Sequence, residues 1–100
     1  MAGRKIIWAP RAKNDLFEIL DYFYKRNGSK KYSKKLNSTL RQSIKLLKKY
    51  PFIGIKTDIQ SVRNLITGDY CIFYEVKSDS IIIIAIWDNR NNPDYLNFQK

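Results

Sequence analysis

Apolar positions along the chain form two helical stripes and then three strand-like runs, and that order predicts most of the fold. Ala12, Leu16, Ile19, Leu20 and Phe23 recur at i, i+4, i+7, i+8 and i+11, one face of a helix, with Arg11, Lys13, Asp15, Glu18 and Asp21 mostly off it. Pro10 suits the first turn of that helix, because its fixed φ is already helical and its missing N–H would have no partner there. A short strand, Arg4 to Trp8, should therefore end just before it. Asn27-Gly28 supplies a left-handed stop, and Ser29 is placed to cap the next helix. Tyr32, Leu36, Leu40, Ile44 and Leu47 form the second stripe, which Pro51 ends. Two helices joined by about three residues must run antiparallel, as a hairpin.

A polar connection follows Phe52-Ile53-Gly54, and then come strand candidates at Val62 to Ile66, Tyr70 to Val76 and Ser80 to Trp87. Thr67-Gly68-Asp69 and Lys77-Ser78-Asp79 are turn sequences between them. The run Ile81 to Trp87 is apolar on both faces and so belongs in the middle of a sheet or under cover. In the strand before it, Tyr70, Ile72, Tyr74 and Val76 alternate with Cys71, Phe73 and Glu75, which predicts one face against the helices and a more open one. The expected fold class is α+β in the order β-α-α-β-β-β, a helical hairpin packed on one face of a twisted, mainly antiparallel sheet. The tail from Pro93 to Lys100 is a candidate for a short final helix.

Length makes residues 1–100 one small domain. The absence of histidine, with Cys71 the sole cysteine, removes zinc sites and every scheme with a histidine base. No metal or cofactor is therefore expected, and no Walker loop or Rossmann glycine pattern occurs. The net charge of +10 is unevenly placed. Tyr22 to Thr57 holds eleven of the nineteen Lys and Arg and none of the nine acids, leaving eight against nine elsewhere. Eight of those eleven, from Lys30 to Lys49, are expected on the second helix. Such an asymmetric field fits a polyanion or an acidic protein partner. Ile6 to Ala9 is too short for a signal-peptide core, and the Ile81 to Trp87 run is far below the roughly 20 residues of a spanning helix. The expectation is a cytoplasmic chain without a membrane partner.

Several local patterns occur in order. Trp8-Ala9-Pro10-x-Ala12-x-x-Asp15-Leu16 opens a helix that runs into Ile19-Leu20-Asp21-Tyr22-Phe23. Leu47-x-x-Tyr50-Pro51-x-Ile53-Gly54 follows, then Arg63-Asn64-Leu65 before Tyr70-x-Ile72-x-Tyr74, and Arg90 stands beyond the last strand. Together they resemble the RelE/ParE family of type II toxins, the plasmid stabilisation type, from Trp8 to Arg90. The resemblance implies a growth-inhibiting bacterial toxin neutralised by a cognate antitoxin, as a toxin dimer or a toxin–antitoxin hetero-oligomer. Its two branches imply different targets: the ribosome with its mRNA, cleaved by RelE-type enzymes, or DNA gyrase, poisoned by ParE-type toxins.

RelE-type enzymes are similar in placing lysines on the second strand, an arginine straight after the tyrosine of the third, and an arginine and a tyrosine near the C-terminus. Here Val62 and Asn64 stand where lysines are expected, or Arg63 if the register shifts by one residue, and Cys71 follows Tyr70. Cleavage by 2′-hydroxyl attack needs cations on the phosphate and a base for the proton. The ribonuclease candidates are then Arg63, Arg90 and Tyr95. The binding candidates are Lys48, Lys49, Lys56 and Arg90, whose charges suit an anionic target. Arg90 also has a structural alternative, as a sheet-edge arginine paired with Asp88 or Asp94. Tyr70 and Tyr74 read as core aromatics and Cys71 as a small filler of the sheet face. The departures favour inhibition by binding, with RNA cleavage as the alternative. A basic nucleic-acid-binding module without toxicity is the second alternative.

Overall fold

A computed structural model describes residues 3–90. The element order is β1 (Lys5–Trp8), α1 (Pro10–Asn27), α2 (Lys31–Leu46), β2 (Ile55–Lys56), β3 (Val62–Thr67), β4 (Tyr70–Val76) and β5 (Ser80–Asp88). The five strands form one sheet in the order β1-β5-β4-β3-β2, with β1 parallel to β5 and every other pair antiparallel. The α+β class and the helical hairpin on one sheet face agree with the sequence pattern. The two-residue β2 is an addition, because the segment 55–61 had read only as a polar connection. The proposed tail helix lies outside the described residues.

The hairpin is built as its residues dictate. Pro10 opens α1, and Gly28, at φ 65°, ends it with its N–H donated to the Tyr24 carbonyl at 3.0 Å. Ser29 does not occupy the N-cap itself, which falls on Lys30, but its hydroxyl accepts the Lys31 N–H at 3.1 Å. The Ser33 hydroxyl donates to the Leu20 carbonyl at 2.8 Å and ties the helices together. Ala12 and Leu16 of α1 and Leu36, Leu40 and Ile44 of α2 are buried against Tyr70, Ile72, Tyr74, Ile81, Ile83 and Ile86 of the sheet. Each fully buried Leu or Ile contributes about 1.5–3 kcal/mol. Since α2 ends at Leu46, Lys30, Lys48 and Lys49 flank the helix, a correction to the expectation that all eight cations ride on it.

β5 is central, between β1 and β4, as its two apolar faces require. Its pairing with β4 steps from Phe73↔Ala85 to Tyr74↔Ile83, so Ile84 is an extra residue. The bulge changes which residues face the helices. Ile81, Ile83 and Ile86 face the hairpin, whereas Ala85 and Trp87 join Val62, Cys71 and Phe73 in a second cluster on the opposite face. That opposite face is not open at Cys71 and Phe73, which are both fully buried, and this corrects the sequence reading. Phe73 and Trp87 meet edge to face at 5.2 Å, so an aromatic pair anchors this cluster.

β1 covers β5 only as far as Ile83, whose carbonyl accepts the Ala9 N–H at 2.9 Å. Beyond that point the Ile86 N–H turns to the Asp15 carboxylate of α1 at 3.0 Å. Asp15 thus replaces a missing strand, which explains its place six residues after Ala9. Burial raises its pKa above the ordinary value, and the Ile86 hydrogen bond and Arg11 only partly offset this. A raised carboxyl pKa means that the folded state binds the proton more tightly than the unfolded chain. The stability of the native protein relative to Asp15→Asn should therefore rise as pH falls from above the raised value towards the unfolded one. Urea unfolding of both proteins between about pH 7 and pH 3.5 checks this. A relative loss on acidification would show that the hydrogen bond and Arg11 outweigh burial.

Candidate functional site

Alternation along β3 decides the facing of Arg63. Val62 and Asn64 lie on the Cys71 side, the Asn64 amide donating to the Cys71 sulfur at 3.3 Å, while Leu65 packs with the helices. Arg63 therefore shares the helix face, opposite Tyr74. One guanidinium nitrogen donates to the carbonyls of Phe52 at 3.1 Å and Gly54 at 2.8 Å, and the group lies 5.1 Å from the centre of the Phe52 ring. The Gly54 N–H donates to the Tyr74 hydroxyl at 2.8 Å. Arg63 and Tyr74 thus clamp the 52–54 turn from two sides. Tyr74 is fully buried, and burial pushes its pKa up.

Arg90 sits at the other end of β4. It donates to Asp88 through Nε at 3.1 Å and an amino nitrogen at 3.0 Å, pairs with Asp69 at 3.4 Å, and donates to the Tyr70 hydroxyl at 3.2 Å. The hydrogen bonds to Asp88 raise its pKa further. Tyr70 is pushed up to about 12, by burial first and then by Asp88. Neither Tyr70 nor Tyr74 is poised as a base near neutral pH. Both are core aromatics, as their alternation with Ile72 and Val76 suggested.

Cys71 lies between Asn64 and Asn89, its S–H donating to the Asn89 side-chain oxygen at 2.9 Å. Burial pushes the thiol pKa up, which keeps the nucleophilic thiolate scarce. Val62, Asn64 and Cys71, positions where the family resemblance would put cations, form a buried and uncharged surface. The structure does not bring Arg63 and Arg90 together. Their β4 neighbours, Tyr74 and Tyr70, are four residues apart, or about 13 Å along a strand. Tyr95 lies outside the described residues. Lys48, Lys49 and Lys56 are exposed, the first two in the turn after α2 and the third on edge strand β2. Sequence reasoning missed the exposure of Phe52 and Tyr50, rings beside these cations, because it used their segment as a helix stop and as part of the family pattern rather than as a surface. Among the described residues, no three His, Cys, Asp or Glu side chains gather as a metal site.

A helical hairpin over a five-stranded mixed sheet places the chain in a class of small α+β domains. The fold is similar to that of a chromosomal ParDE system from P. aeruginosa, with a TM-score of 0.73 and 22% identity over 83% of this chain and 92% of that one. It is also similar to the RelB–RelE antitoxin–toxin complex from Methanococcus jannaschii, with a TM-score of 0.54 and 19% identity over 89% of this chain and 96% of that one. At these identities the likeness is one of fold. No curated protein sequence matches the chain. The model of the ParE toxin of the type II toxin–antitoxin system parDE matches residues 6–93. The chain belongs to the ParE toxin family.

Proposed function

We propose that this toxin arrests growth by binding a cytoplasmic target, without chemistry of its own, and that a cognate antitoxin neutralises it. DNA gyrase is the proposed target, following the ParE branch. The observation that supports binding over RNA cleavage is the layout of the cations. Arg63 and Arg90 stand at opposite ends of β4, Arg63 holding turn carbonyls and Arg90 holding Asp88 and Asp69. A phosphate clamp needs converging donors aimed at one charge. On the sheet face away from the hairpin, where the family resemblance would put cations, stand Val62, Asn64 and Cys71, all neutral. The antitoxin partner is supported by the two similar structures, which come from a ParDE system and a RelB–RelE complex.

Induced expression with and without the product of the neighbouring small reading frame tests this. Growth arrest relieved by that product is expected, together with loss of gyrase supercoiling by the purified toxin and intact transcripts. Arrest with cleaved mRNA and normal supercoiling would transfer the chain to the ribonuclease mechanism. Expression without any arrest would remove the toxin activity altogether.

A further inference from the structure

The pairing of β2 with β3 sets Lys56 directly opposite Arg63. Like charges at opposed positions destabilise a strand pair. Neither residue has an ion pair among the described residues. Glu75, the nearest acid on β4, is engaged by the Ser61 hydroxyl at 2.6 Å and by Lys77 at 3.5 Å. The Ser61 hydrogen bond, the largest influence on Glu75, holds its carboxyl below the usual range, so it stays charged and committed to these partners. Lys56 and Arg63 line an open cleft of about 380 Å3 with Phe52, Thr57, Gln60 and Ser61, and none of the described residues that line it carries a carboxylate. Arg63 spends one amino nitrogen on the turn carbonyls, and its other N–H groups have no hydrogen-bond partner among the described residues.

An aromatic element adjoins these charges. Phe52 is 56% exposed, although Arg63 and Arg4 lie 5.1 and 5.9 Å from its ring centre. Two residues earlier, Tyr50 is also exposed, with the Lys49 ammonium 5.7 Å from its ring. Exposed rings alternating with unpaired cations are what a single strand of nucleic acid requires: faces on which bases stack and charges that follow the phosphates. An acidic peptide would use the cations but gain little from two flat faces.

We propose that the Lys49–Phe52 turn and the Lys56–Arg63 cleft form a binding site for single-stranded nucleic acid, with bases stacked on Tyr50 and Phe52 and phosphates held by Lys56 and Arg63. The site does not depend on the toxin reading, since it is tested on the purified chain rather than by growth. The probe is a fluorescent oligothymidine, followed by anisotropy over a salt series, beside a glutamate peptide of equal charge. The oligothymidine should bind more tightly than the peptide. Phe52→Ala should weaken it about fivefold or more, and Lys56→Gln should reduce the log–log salt slope by about 0.7. Lys31→Gln, at the far start of α2, should weaken binding less than about twofold. Phe52→Leu keeps an apolar side chain without a ring face, and should lose affinity with unchanged thermal unfolding. The proposal is overturned if the ring variants bind as the native protein does, if Lys31→Gln costs as much as Lys56→Gln, or if the peptide binds equally well.

Discussion

Phe73→Ala is expected to destabilise the protein by about 3–5 kcal/mol, the usual range for emptying a buried aromatic site. Phe73 is fully exposed to no solvent, at 0% accessibility, and its ring packs edge to face on Trp87. It lies on the sheet face away from the hairpin, with Val62, Cys71, Ala85 and Trp87. Central β4 and β5 cannot collapse into the space without breaking their ladder, so most of the cavity would persist. For a domain of this size, thermal unfolding should fall by about 12–40 °C, a large fraction of a total stability of about 5–15 kcal/mol. Thermal melts by circular dichroism provide the test. A loss below about 1.5 kcal/mol would mean that this face contributes little packing and is open, as its sequence first suggested.

Gly54→Ala should cost about 2–4 kcal/mol, through overpacking together with a disturbed hydrogen bond. A Cβ at this position would lie 2.6 Å from the Tyr74 hydroxyl oxygen and 2.7 Å from its Cε1. Tyr74 is fully buried among the helix-facing residues of the sheet and cannot swing aside. The same movement would strain the Gly54 N–H bond to Tyr74 and the Gly54 carbonyl bond to Arg63. Tyr74→Phe removes the nearer obstacle, so the double variant should be less destabilised than the sum of the singles by at least about 0.5 kcal/mol. Denaturant titrations of the four proteins measure that coupling. Strict additivity, or a single variant as stable as the native chain, would refute the close approach. The clamp also positions the turn that carries Phe52, so Gly54→Ala should disturb the proposed nucleic-acid site along with the fold.

The net charge gained meaning once it had positions. The helical hairpin and the turn after it carry most of the surplus, but the cations that matter for the cleft come from several elements: Arg4 before β1, Lys56 on β2 and Arg63 on β3. No linear run of lysines announces such a cluster. It forms because the turn at 52–54 brings Phe52 within reach of Arg4 and Arg63, and the β2–β3 pairing sets Lys56 opposite Arg63.

The sequence by itself determined both helices, their hairpin, the three main strands and the family. Helical and strand periods, Pro10, Gly28 and Pro51 act over a few residues, and the same residues carry the ordered patterns that resemble the toxins. Tertiary structure alone decided which way Arg63 points, because a strand's facing depends on its register with β4. It also decided that Ile84 bulges, that Cys71 and Phe73 are buried, and that Asp15 serves the edge of β5. Each of these depends on a partner far along the chain, and local pattern carries no information about what lies across a strand or on top of it.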